Sequence, residues 1–304
     1  MIYEDVNNLY IDILRKVREG NIVGKRREKV FLTFTLTDLD KNILFFPFAQ
    51  RNWPWILREC SDRISGIDNP GVAWQFSKNW ENRIEDTGYF SYHYSNRLND
   101  QMKNVLSSRI QGRDKIIQVW NENDYYMKGR QPCTITMQVV MEEDKKLSLV
   151  VYMRNNDVIN ILPSDIFIHS TYFKYWTTYY GYEYKNLYWV AAVAYYQKKR
   201  DELNFIKRLI DQWAKNYNGI SATKWDSKII DDYHLKEQCE QKGVEYWKDK
   251  FKNKLFESSY IDEWFKIMLL ARFKMANMKE QYRELYNMSF NTEFSFIKEK
   301  MPQI

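Results

Sequence analysis

Cysteine is scarce in this chain: three residues in 304, at positions 60, 133 and 239, with no CxxC pair. That excludes a disulfide framework and a cysteine-type zinc site, and it fits a reducing, cytoplasmic setting. The three histidines, His93, His169 and His234, lack metal-ligand spacing, so no metal centre is expected. No apolar run approaches the roughly 20 residues of a membrane-spanning helix. The longest, Leu187–Tyr196, has ten residues and reads as a buried strand. The opening Met1-Ile2-Tyr3-Glu4-Asp5 lacks the basic and then apolar pattern of a signal peptide. Glycine-rich dinucleotide loops, a P-loop, HExxH and Gly-x-Ser-x-Gly are all missing, which removes the common nucleotide, metalloprotease and serine-hydrolase signatures. Internal repeats and flexible linkers are also lacking. The net charge is +6 without a long basic tail, which argues against a nucleic-acid surface and suits anionic small ligands.

What the chain does have is apolar and aromatic mass. Apolar residues make up 44% and aromatics 17%, enough for a substantial core. Residues 2–18 read as an amphipathic helix with Val6, Leu9, Tyr10, Ile13, Leu14 and Val17 on one face and Gly20 as the stop. Val30–Leu36 reads as a strand, Trp53–Ser65 as a helix stopped by Gly66, and 67–98 as an irregular segment around a site. A short helix over 100–110 precedes the strands Ile116–Trp120, Thr134–Met141 and Leu147–Met153, with a hairpin turn at Glu142–Lys146. Pro163-Ser164 opens a helix that Gly181 closes. Beyond residue 200 the pattern turns helical and charged, in Asp201–Asn216 and Val244–Leu285. The expected fold is α+β, a mixed sheet with packed helices. The expected division is a catalytic domain over 1–200 and a helical extension over 201–304 packed on the same domain.

Several residues could carry chemistry. Cys133 follows Pro132 at the mouth of a strand, three residues after Arg130. A cysteine beside cationic groups can act as a nucleophile, although a lone cysteine is more often a small buried apolar residue. Arg154 ends a strand and opens Asn155-Asn156-Asp157, a setting that suits a phosphate or, equally, a solvated turn. Asp165 lies in a helix first turn, where the helix dipole alone favours it. Glu59 sits among apolar residues on a helix, where a surface position is the ordinary reading.

Their joint order resembles the thymidylate synthase superfamily. The matching motifs are Arg113-Asp114-Lys115 leading to Trp120-Asn121, then Pro132-Cys133, then Arg154-Asn155-Asn156-Asp157-Val158 against Arg-Ser-x-Asp-Val. Leu162-Pro163-Ser164-Asp165-Ile166 stands against Leu/Val-Pro-Phe-Asn-Ile, and Ala194-Tyr195-Tyr196 against His-x-Tyr. Upstream, Glu59 with Gly66 fits the helix of the catalytic glutamate. Tyr92 with Arg97 fits Tyr-Gly-x-x-Trp-Arg, and Arg26 or Arg27 fits the first phosphate-binding arginine. The resemblance spans about residues 1–200 and implies a thymidylate synthase-like sheet, a homodimer and methylenetetrahydrofolate as co-substrate. It implies that Cys133 adds to pyrimidine C6 and that Glu59 organises water and moves protons. Arg26, Arg113, Lys115 and Arg154 would hold phosphate, Asn155 and Tyr196 would line the nucleotide site, and Asp157 and Tyr92 would meet the folate.

The departures redirect the substrate. Asp165 replaces the base-reading Asn, and an aspartate suits the amino group and N3 of cytosine. The same replacement marks the related deoxycytidylate hydroxymethylases. Ala194 replaces the sugar-contacting His, leaving room for a ribose 2′-OH and favouring CMP over dCMP. Arg113-Asp114 replaces a double arginine, with Lys115 adjacent, and Thr134 replaces the His after the nucleophile. The expected activity is therefore hydroxymethylation of C5 of CMP. The alternatives, in order, are dCMP hydroxymethylation, dUMP methylation, and an inactive nucleotide- or RNA-binding relative.

Overall fold

The computed structural model describes residues 1–44, 52–66, 76, 94–107, 115–126, 131–143, 145–202, 204, 206–208, 211, 224–241, 260–290, 292–299 and 301. The strands are β1 (Ile2–Tyr3), β2 (Asn21–Val23), β3 (Arg26–Leu36), β4 (Ile116–Gln118), β5 (Thr134–Glu143), β6 (Lys146–Met153), β7 (Asn156–Asp157) and β8 (Glu183–Gln197). The helices among the described residues are α1 (Val6–Arg18), α2 (Trp53–Ser65), α3 (Tyr94–Ser107), α4 (Leu162–Tyr179), the single turn α5 (Lys199–Glu202), α6 (Ser227–Gln241), α7 (Tyr260–Met275), α8 (Lys279–Tyr286) and α9 (Thr292–Glu299).

One mixed sheet runs β1-β3-β8-β6-β5-β4, with β2 pairing β3 and β7 pairing β8. β5 and β6 form an antiparallel hairpin, whereas β6 and β8 are parallel and joined through α4, as a parallel pair requires a crossover. The expected α+β class is thus the observed one. α1 and α4 cover the sheet, and α2 packs on α4. α3 and α7 pack on α2, and α6 packs on α4 and α7. α4 is buried along nearly its whole length. It is therefore not amphipathic but a central pillar with protein on all sides.

Local chemistry accounts for the element ends. The Asp5 carboxylate accepts from the Asn7 and Asn8 N–H groups and starts α1, which is preceded by the short β1 rather than running from residue 2. Asn52 caps α2, and Gly66 ends it in the left-handed region at φ 62°. A side chain at Gly66 would collide with that of Asn99 on α3, so glycine is needed there for space as well. β3 starts four residues earlier and β8 extends further than the apolar runs suggested.

A kink crosses the sheet next to the site. In β8 the buried residues are Leu187, Trp189 and Ala191, then Ala194 and Tyr196, so the buried parity changes around Ala192. In β3 the residues before Leu32 are not buried, Leu32, Phe34 and Leu36 are, and the boundary is marked by Phe31, which has φ 56° and is 69% exposed. In β5 it falls between Thr134 and Thr136, where the pairing with β6 is irregular. One end of these strands packs the core, including Phe34 stacked on Trp189 at 5.8 Å. The other end carries Cys133, Arg154 and Ala194.

Candidate active site

The site is assembled from five elements. α2 brings Glu59 and, one turn later, Arg63, whose Nε donates to Glu59 Oε1 at 3.0 Å. Arg63 is 5% exposed, and its Nη1 has no hydrogen-bond partner among the described residues. Its guanidinium lies over the ring of Tyr94 at 4.1 Å, at the start of α3. The Tyr94 hydroxyl donates to Thr134 Oγ1 and accepts from the Thr134 N–H, both at 3.3 Å. It thus sits against the residue that follows Cys133. Burial, reinforced by the neighbouring Cys133 thiol, raises the Tyr94 pKa, so it stays a neutral hydroxyl.

Cys133 is half-buried and lies just before β5. The loop that carries it is held by Arg154. The Arg154 N–H donates to the Cys133 carbonyl at 2.9 Å, Nε to Pro132 O at 2.9 Å and Nη2 to Gln131 O at 3.1 Å. This clamp fixes the course of the loop that carries the thiol and sets the Arg154 guanidinium against its backbone carbonyls. Cys60 is the contrast: it is fully buried in α2, and burial pushes its thiol pKa far up, leaving it inert.

Asp165 closes the arrangement from α4. It is 8% exposed, and its Oδ2 accepts from Asn156 Nδ2 at 2.9 Å. Burial drives its pKa up to about 7, against the opposing pull of Arg63 and the Asn156 hydrogen bond, with Glu59 and Asp157 adding to the rise. One turn on, His169 Nδ1 donates to the Asp165 carbonyl at 2.8 Å, and its Nε2 faces the Thr134 hydroxyl at 3.4 Å. Burial holds the His169 pKa down to about 3, so the ring is a neutral strut. The contacts form a circuit: Cys133 to Arg154, along the chain to Asn156, to Asp165, to His169, and back to Thr134.

The other expected residues lie in different settings. Asp157 accepts from the N–H groups of Ile159 and Asn160 at 3.0 Å each and from Asn160 Nδ2 at 2.9 Å, which turns the chain into α4. Asn155 is half-buried between Arg154 and Asn156. Ala194 is buried opposite Asn156 on β7 and Lys29 on β3. Tyr196 is also buried, and its hydroxyl donates to Asp201 at 2.6 Å. Arg27 donates to the same carboxylate at 2.8 Å, whereas Arg26 is exposed with its guanidinium 4.3 Å from the Tyr195 ring centre. Lys115 precedes β4 and its carbonyl accepts from the Val139 N–H. Arg113, Tyr92 and Arg130 lie outside the described residues. Arg97 forms a bidentate pair with Asp124. Three site neighbours escaped the sequence reasoning: Arg63, Tyr94 and Asn156. Only Arg63 left a local signal, its four-residue spacing from Glu59.

Compared with known families, residues 48–243 match the model of the family described as thymidylate synthase, well over half of the chain. The chain belongs to the thymidylate synthase family. This family transfers a one-carbon unit from methylenetetrahydrofolate to C5 of a pyrimidine nucleotide and usually forms dimers. The match covers α2, with Glu59 and Arg63, as well as Cys133, Arg154, Asp165 and all of β8. A comparison with curated proteins found no match. No group of residues suited to a metal ion occurs among the described residues, and no described helix is long and apolar enough to cross a membrane.

Proposed function

We propose that this protein is a cytidylate 5-hydroxymethylase acting on CMP, with dCMP as the second substrate. The observation that carries the reading is Asp165. It stands where the family motif has a base-reading amide, it is buried, and its pKa of about 7 keeps the acid form available near neutrality. A carboxylic acid offers one donor and one acceptor, which complement N3 and the amino group of cytosine. An ionised carboxylate would instead face the O4 of uracil with two acceptors and repel it. The buried Ala194, in place of the sugar-contacting His, supports ribose.

The Cys133 thiolate adds to C6 of the ring and makes C5 a nucleophile. C5 takes the one-carbon unit that methylenetetrahydrofolate supplies when bound. Loss of the C5 proton breaks the carbon–nitrogen bond to the co-substrate, which departs as tetrahydrofolate; hydroxide from water then adds to the exocyclic methylene left on the ring, and expulsion of the Cys133 thiolate restores the C5–C6 double bond. Glu59, oriented by Arg63, is the group to position that water and relay the proton. Arg154 orders the nucleophile loop, and together with Arg26, Arg113 and Lys115 it supplies the cations for phosphate. For the folate, Asp157 fits by its chemistry: Oδ2 receives one hydrogen bond, which leaves lone-pair capacity for an N–H donor of a pterin. Tyr92 is the second proposed folate contact. Residues 201–304 are proposed as an extension of the same domain, supported by the packing of α7 on α2. A homodimer is proposed as well, consistent with the exposed Val30, Phe31 and Ile135 on the strands.

The test is mass spectrometry of CMP, dCMP and dUMP after incubation with protein and methylenetetrahydrofolate. A hydroxymethyl product on CMP in preference to dCMP is expected. Product mainly on dCMP would keep the chemistry and remove the ribose argument. A methylated dUMP would overturn the reading of Asp165.

A further inference from the structure

The chemistry above leaves one buried polar side chain without a task. Asn156 is 1% exposed, on a strand of two residues pinned to Ala194 and Tyr195 of β8. Its Nδ2 makes the only hydrogen bond to the Asp165 carboxylate among the described residues, at 2.9 Å. Its Oδ1 is buried and has no partner among them. The backbone of Asp165 is fixed at both ends, since its N–H donates to the Ile161 carbonyl and its own carbonyl accepts from His169. Only the orientation of the carboxyl group, and the choice of oxygen that holds a proton, remain open.

A carboxylic acid reads a base with a hydroxyl on one oxygen and a lone pair on the other, and in a symmetric environment the two are interchangeable. An amide N–H aimed at Oδ2 breaks that symmetry, because a carbonyl oxygen accepts better than a hydroxyl oxygen. We propose that Asn156 is a specificity-determining positioning residue: its amide holds Oδ2 of Asp165 as the acceptor and leaves the proton on Oδ1. The site then presents one ordered donor–acceptor edge to a cytosine ring. This rests on the cytosine reading of Asp165 and goes beyond it, because it assigns the polarity of that edge to a second residue.

The charged and titratable groups facing Asp165 are Arg63 and Glu59 from α2, Tyr94 from α3, Asp157 from β7 and the neutral His169 from its own helix. Among them Arg63 opposes the effect of burial, as does the Asn156 hydrogen bond, while Glu59 and Asp157 add to it. Loss of the Asn156 donor should therefore have two effects of opposite character. Asp165 should hold its proton to higher pH, yet discriminate less well between cytosine and uracil. A purely structural role for Asn156 would change melting temperature and neither of these.

The experiment measures the affinity of the full-length protein for CMP and UMP by calorimetry, from about pH 6 to about pH 9. It compares the wild type with Asn156→Ala and Asn156→Ser, which leave similar space but differ in a donor. The wild type should prefer CMP. Asn156→Ala should lose up to about tenfold of that preference, the scale of one ordinary hydrogen bond, and its pH midpoint should move up. Asn156→Ser should retain more of the preference than Asn156→Ala. A wild type that prefers UMP would overturn the cytosine reading, and the role of Asn156 with it. A wild type that prefers CMP, with both variants keeping that preference and midpoint or losing it equally, would overturn the role of Asn156 alone.

Discussion

Arg97 and Arg63 are both largely buried and both pair with a carboxylate, and the two pairs differ in how completely they are satisfied. Arg97 on α3 gives Nη1 and Nη2 to the two oxygens of Asp124 at 2.7 and 2.9 Å, and Nη1 also donates to Val119 O at 2.7 Å. Asp124 is wholly buried and accepts a further hydrogen bond from the Asn121 N–H at 2.8 Å. Burial alone would raise its pKa, but the bonds from Arg97 and Asn121 outweigh this and hold it below the usual range. Arg63 on α2 gives only Nε to one oxygen of Glu59, and Nη1 is left without a hydrogen bond among the described residues. The saturated carboxylate of Asp124 fastens two elements together. An unsaturated pair at the same depth keeps donor capacity, and Arg63 keeps it between Glu59, Tyr94 and Asp165.

The largest effect should come from breaking the saturated pair. Arg97→Leu leaves Asp124 buried without its cation and should cost about 3–5 kcal/mol of stability in urea unfolding. Wild-type stability at this corner should also fade as acid protonates Asp124 through its lowered pKa. Next is Arg63→Met, which keeps the length and removes the charge. Its stability loss should be smaller, about 1–3 kcal/mol, but turnover should fall by about 10²-fold or more as Glu59 loses its orientation. Because Arg63 pulls the Asp165 pKa down, the pH at which CMP binding weakens should move upward in this variant. Equal and purely structural losses in the two arginine variants would erase the contrast.

Asp165→Asn sharpens the same comparison. The folded pKa of Asp165, about 7, lies above the roughly 4 of an unfolded aspartate. Its contribution to stability is thus present below about pH 4 and is lost as pH rises to about 7, opposite in sign to that of Asp124. The amide variant should lose this slope in melting temperature against pH and shift toward uracil nucleotides. Cys133→Ser should abolish turnover and leave nucleotide binding largely intact; unchanged turnover would refute the nucleophile assignment. The smallest effect belongs to the exposed Lys146–Glu143 pair at 3.0 Å. Lys146→Ala should change stability by less than about 1 kcal/mol.

Much of the fold was legible because its elements announce themselves locally. The α2 pattern between Asn52 and Gly66 and the apolar runs of β5, β6 and β8 were each sufficient. β1, β2 and β7, with two or three residues each, carry no periodicity and exist only through their pairing with β3 and β8. α6 and α9 went unread as well, being too weakly amphipathic to stand out from their charged surroundings. In the site, Cys133, Arg154 and Asp165 were visible through the spacing of their motifs. Arg63, Tyr94 and Asn156 were not, because each matters through a partner from another segment: Tyr94 for Arg63, Thr134 for Tyr94, Asp165 for Asn156. The same limit hides the bond from Arg27 to Asp201, 174 residues away in the chain.

The kink at Phe31 and Ala192 has a consequence for mutational tolerance. A scan of polar substitutions along β8 should not alternate with a single phase. Odd positions from Leu187 through Ala191 should be intolerant, and even positions from Ala194 to Tyr196, with a tolerant pair between them. On the proposed reading, the first half of that wave answers to stability and the second to activity, which a scan scored for both would separate.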